Sequence, residues 1–158
     1  MEPLKYGMNT HIIPVFAPLD LAANDMTTTH IKVTNALRVT YLVSFGVITG
    51  DTATITVECS SAASTTSASA IPFAYRLTGD TAMDTYGDVT TCDSDGVLIT
   101  AAYDNMLMMV DVNMSHVADT ASYLALSFVT ESSMSACVVS AVALVQTRYG
   151  QYDPLSTT

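Results

Sequence analysis

Over residues 37–48 (LRVTYLVSFGVI) apolar side chains recur at every second position. Leu37, Val39, Tyr41, Val43, Phe45 and Val47 fall on one side of an extended chain; Arg38, Thr40, Leu42, Ser44, Gly46 and Ile48 fall on the other. A strand repeats its side-chain direction every two residues. The pattern therefore predicts a long strand with the first set in a core and a mixed, partly covered second face.

The same alternation predicts strands over residues 29–34, 52–59, 106–114 and 121–130. Their inward residues are Ile31 and Val33; Ile55, Val57 and Cys59; Met106, Met108, Val110, Val112 and Met114; and Leu124, Leu126 and Phe128. Residues 71–77 and 96–102 read as further strands, and residues 12–16 as an edge strand, because Pro14 cannot donate to a ladder. Residues 135–147 are apolar on both faces, which predicts a fully buried last strand. Thr49-Gly50-Asp51 is a turn signal that predicts a hairpin between the long strand and residues 52–59. Residues 17–28 and 83–95 are polar connections, the latter with a short strand near Val89, and residues 60–70 (SSAASTTSASA) form a low-complexity loop.

Eight or nine strands and no long helical pattern predict an all-β fold. An antiparallel β-sandwich of the jelly-roll type, with about eight strands, fits best. An immunoglobulin-like sandwich is the alternative, but the chain has no Trp and no evident cysteine pair. The expected organisation is an N-terminal arm (residues 1–11), one domain (12–147) and a C-terminal tail (148–158).

Composition adds a partner. Of 158 residues, 49% are apolar and only 13% charged, too few charges to cover a monomer in the usual way, so part of the surface is expected to be buried against other subunits. Net charge is −10, and the five bases Lys5, Lys32, Arg38, Arg76 and Arg148 are scattered. Phosphate recognition needs clustered bases, so no direct nucleic-acid contact is expected, and anionic membranes are repelled. Cys59, Cys92 and Cys137 are odd in number and far apart, which reads as buried thiols rather than a disulfide framework or a CxxC site. The N-terminus, with Glu2, Pro3 and Lys5, has no apolar run of a secretory signal, and the longest uncharged apolar stretch, residues 135–145, is too short and serine-broken to span a bilayer.

Candidate chemistry is sparse, and no catalytic residue, metal or cofactor is expected. Asp93-Ser94-Asp95-Gly96 offers hard oxygen ligands, but the twelfth position of a calcium loop starting at Thr91 is Ala102, not Glu. A turn is the expected reading, with a weak calcium site near Asp93 and Asp95 as the alternative. His11, His30 and His116 show no HxH or HExxH spacing, and no GxSxG is present. Asp80, Asp84 and Asp88 read as a solvated face rather than paired acids. The methionines at 106, 108, 109 and 114 read as core filling rather than as a sticky surface. Tyr6, Tyr149 and Tyr152 lie in the arms, where a tyrosine either anchors an interface or belongs to an unstructured end.

Ile12-Ile13-Pro14, Leu21-Ala22-Ala23-Asn24, Arg38-Val39-Thr40 and an apolar last strand running into Arg148-Tyr149 together resemble the small jelly-roll decoration, or cement, proteins on the heads of tailed bacteriophages. The resemblance covers most of the length in layout, through short motifs. It implies a non-enzymatic virion component, made in the host cytoplasm. Such a protein forms a homotrimer on the outer surface of the capsid and holds capsomers of the major capsid protein together. The contact residues it implies are Tyr6, Ile12, Ile13 and Phe16 in front and Arg148, Tyr149 and Tyr152 behind. Three other readings compete. A carbohydrate- or receptor-binding jelly roll of a phage tail or fibre usually presents aromatic platforms, which a Trp-free chain with Ser, Thr, Ala and Asp loops lacks. A cupin enzyme needs clustered histidines. A genome-binding capsid protein needs a basic arm.

Overall fold

The computed structural model describes residues 10–22, 24–79 and 85–148. Twelve strands are found among them: β1 (Thr10–Asp20), β2 (Met26–Thr27), β3 (Ile31–Lys32), β4 (Ala36–Thr49), β5 (Ala53–Ser60), β6 (Ser69–Ile71), β7 (Phe73–Leu77), β8 (Thr90–Cys92), β9 (Val97–Ile99), β10 (Leu107–Val112), β11 (Tyr123–Thr130) and β12 (Ala136–Thr147). Every pairing is antiparallel. The larger sheet has the order β1-β12-β4-β10-β7-β8. The smaller runs β2-β11-β5-β6, with β3 also on β11 and β9 also on β5. The two sheets close on one apolar core.

The twelve segments reduce to the eight strands of a jelly roll. β2 and β3 are two halves of one strand along β11. Between them Thr28, buried, donates its N–H to the Leu126 carbonyl and accepts the Leu126 N–H on Oγ1, both at 2.9 Å. A side chain thus stands in for ladder bonds where the strand is interrupted. Counted this way, four strands (first, eighth, third, sixth) form β1-β12-β4-β10, and four (second, seventh, fourth, fifth) form β2/β3-β11-β5-β9. β6, β7 and β8 are an insertion between the fourth and fifth strands that widens both sheets. Pro72 marks the point where the inserted chain changes sheets, leaving β6 on β5 and β7 on β10.

Three sequence expectations change. β4 and β5 are not a hairpin: β4 pairs with β12 and β10, β5 with β11, β6 and β9, so the Gly50 turn carries the chain from one sheet to the other. β1 is longer than residues 12–16 and runs into the stretch expected to be a loop. It keeps its place beside β12 through two register shifts, at Pro14–Phe16 and Phe16–Leu19, which accommodate its prolines.

The third change concerns β4. Val39, Tyr41, Val43 and Phe45 are buried as the alternation requires, but Leu37 and Val47 are 53% and 49% exposed, and Ile48 is buried in place of Val47. Two bulges cause this. Phe45 lies opposite Val139 and Ile48 opposite Cys137, so Gly46 and Val47 together face Val138 alone. At the other end Gln146 pairs with Arg38 and Thr147 with Ala36, which leaves Leu37 extra. Each added residue flips the alternation beyond it.

The core holds β10 (Met108, Val110, Val112), β11 (Leu124, Leu126, Phe128) and the inner side of β12 (Cys137, Val139, Ala141, Ala143, Val145). Across the sandwich, Phe16 of β1 stacks on Phe128 of β11 with ring centroids 5.9 Å apart. Tyr41 is fully buried, and burial pushes its phenol far above the usual range, so it stays neutral while the fold persists.

Candidate interaction surface

β12 is not buried on both faces. Its outward residues Val138, Ser140, Val142 and Leu144 are half-buried, screened by their neighbours in the sheet but covered by no other layer among the described residues. The register aligns them with outward residues on four other strands. One row across the sheet is Ile12, Leu144, Thr40, Asp111 and Ala74; the next is Pro14, Val142, Leu42, Met109 and Arg76; a third is Ser140, Ser44 and Leu107. Ile12 is the most exposed large apolar side chain described, at 61%. The result is a continuous apolar band on the outside of the larger sheet, where a solvated sandwich face normally alternates to polar.

The outside of the smaller sheet has a different chemistry. Its rows are Thr27, Ser127 and Thr56; Ala125, Glu58 and Ala70; and Val129, Thr54 and Leu98. Small and hydroxyl-bearing side chains dominate there, with Val129 and Leu98 exposed singly at one end.

The acid on the apolar band is paired. Arg38 Nε and Nη2 donate to the two carboxylate oxygens of Asp111, each at 2.7 Å, and Thr40 Oγ1 donates to Asp111 Oδ1 at 3.1 Å. That hydrogen bond and the charge of Asp111 raise the already high pKa of Arg38. The pair is open to solvent, so it contributes little to stability. Its effect is to neutralise the one acid in the rows of this band, which leaves Arg76 as their unpaired charge among the described residues. A shallow hollow of about 230 Å³ lies beside it, walled by Arg38, Arg76, Tyr75, Met109, Asp111 and Val89. Arg76 forms no ion pair among the described residues.

The expected contact residues fall in different places. Ile12 lies on the apolar band. Ile13 points into the core, and Phe16 packs against it through Phe128. Arg148 is exposed just beyond β12, its N–H bonded to the Asn35 carbonyl at 3.0 Å, and it borders a polar cleft of about 340 Å³. Tyr6, Tyr149 and Tyr152 lie outside the described residues. Leu42, Met109, Val142 and Leu144 were not singled out as surface residues. For Val142 and Leu144 the signal is the two-sided apolarity of residues 135–147, which reads equally as burial; Leu42 lies on the mixed second face expected of the long strand, and Met109, expected as core filling, is half-buried on the outer face instead.

Other candidate groups have local roles. Asp93 Oδ1 accepts the Asp95 N–H at 3.0 Å in a tight turn that ends at Gly96. No three His, Cys, Asp or Glu side chains converge as metal ligands among the described residues. His11 is on β1, His30 precedes β3, and His116 Nδ1 lies 3.2 Å from the Pro72 carbonyl. Burial pushes the Cys137 thiol up to about 11, with the charge of Asp20 adding to it. Burial and then Asp93 also raise Cys92. Both shifts suppress the thiolate that nucleophilic chemistry needs.

No family model, curated protein or solved structure matches this chain.

Proposed function

We propose that this protein is a non-enzymatic structural component of a virus particle. In this reading it is a decoration, or cement, protein that binds the outside of a tailed-phage head as a homotrimer and stabilises the junctions between capsomers. The observation that carries it is that the first and last described residues, Thr10 and Arg148, lie at one end of the larger sheet. Thr10 at the start of β1 pairs with Gln146 near the end of β12, and Arg148 follows directly. The described chain thus begins and ends at one place, and in this reading both termini engage one neighbouring wall.

The mechanism is linkage. A protein that binds only the assembled shell stabilises it by RT ln(1 + [L]/Kd). Cyclic symmetry repeats one weak contact three times, and the tethered arms multiply its effect. β1 is an edge strand, and an exposed edge accepts a further strand from a partner. The chain's acidity suits a site outside the shell, away from the genome.

The test is pelleting with shells of the phage that encodes the chain, prepared without it. The full chain is expected to sediment with shells and saturate. Removal of residues 1–9, which leaves β1 whole, is expected to weaken binding at least tenfold. Full-length protein that stays in the supernatant contradicts the reading.

A further inference from the structure

We infer that the apolar band on the outside of the larger sheet is the surface through which copies of this chain bind each other. This deepens the self-association in the reading above and does not depend on its capsid partner.

Three observations select a second copy as the occupant. The first is charge. The chain carries 15 acids against five bases, so two copies repel over most of their surfaces. The three rows aligned across β1, β12, β4 and β10 hold one acid, Asp111, which is neutralised by Arg38; Asp20 lies beyond them, opposite Val138. A basic partner is better served anywhere else on the molecule.

The second is chemistry. Ile12, Leu42, Met109, Val142 and Leu144 adjoin across four strands, with Thr40, Ser44 and Ser140 interspersed. Removing such side chains from water drives association, and the hydroxyls supply hydrogen bonds at low desolvation cost. The outside of the smaller sheet has no comparable run, which gives an internal control.

The third is size. Four strands spaced about 4.8 Å apart, over the six residues of β10 at about 3.3 Å each, present roughly 380 Å² of flat sheet. A standard interface takes about 800 Å² per partner, counted over side-chain relief. The band thus supplies the apolar centre of such a contact, and the flanking rows and β7 supply its rim.

The experiment is sedimentation velocity of the full chain between 1 and about 100 µM, with circular dichroism to confirm the fold. Wild type is expected to sediment as an oligomer. Leu144→Glu and Ile12→Glu are expected to weaken association at least a hundredfold and yield monomers with a wild-type strand spectrum. Ile12 is solvent-exposed, so its replacement decides the matter if Leu144→Glu fails to fold. Leu98→Lys on the smaller sheet is expected to leave the oligomer intact. A wild type that is monomeric throughout, or a folded Ile12→Glu with wild-type association, overturns the inference. An oligomer that ignores shells defeats only the proposed function; a monomer that pellets with shells through this band defeats only the inference.

Discussion

Gly96→Ala is expected to lower the stability of the protein by about 3 kcal/mol, and its melting temperature by roughly 10 °C. Gly96 has φ +88°, where an L side chain is strained by about 1–2 kcal/mol. Space is the larger problem. A Cβ there runs into the Ile55 carbonyl oxygen and comes within 2.6 Å of Thr56 Cγ2. The Ile55 oxygen belongs to the β5 backbone and cannot swing aside. The Asp93–Gly96 turn and the three-residue β9 that follows must therefore lift away from β5, to which Val97 and Ile99 are registered. Thermal unfolding followed by circular dichroism checks this, and a variant melting with wild type contradicts it.

Asp104→Ala is expected to cost about 2 kcal/mol, or roughly 6 °C in melting temperature. β10 begins opposite Ser44, so the β4 backbone beyond that point has no strand on this side. Asp104, at the end of the short 3₁₀ turn Ala101–Tyr103, fills the gap: its Oδ1 accepts the Ile48 N–H at 2.7 Å, while the Asn105 N–H bonds the Gly46 carbonyl at 3.1 Å. These bonds close the ladder at the bulge that flips Val47 outward. Alanine leaves the half-buried Ile48 N–H without its charged acceptor, and an unpaired donor costs most where water reaches it least. Amide exchange at Ile48 is expected to accelerate selectively. Wild-type melting and wild-type exchange together contradict the role assigned to Asp104.

Much of the sandwich was legible in the pattern of side chains. Met108, Val110 and Val112 on β10, and Leu124, Leu126 and Phe128 on β11, are buried as their alternation requires. Where alternation failed, one inserted residue was responsible. Leu37 and Val47 have the same apolar chemistry as the core residues two positions away, so composition cannot reveal that a bulge has turned them to solvent. The crossing from β4 to β5 was hidden for another reason: a Gly-Asp turn with φ > 0 serves a tight hairpin and a change of sheet equally well. Residues 135–147 show the limit most clearly. Val138, Val142 and Leu144 look as buried as Val139 and Val145, and only the position of β12 in an open sheet exposes them. The surface residues offered by the sequence lay chiefly in the arms, whereas the apolar band was visible only once the register was known.

The account turns on where the protein acts, and an image of the intact particle tests that most directly. In the proposed reading, a three-dimensional reconstruction of the particles this chain decorates is expected to show external density at the capsomer junctions. The two-sheet sandwich should fit that density with its Thr10 and Arg148 end toward the shell and the outside of its larger sheet against neighbouring copies. Particles whose outer surface carries no density fitting the sandwich, with the protein absent from them by mass spectrometry, would contradict it.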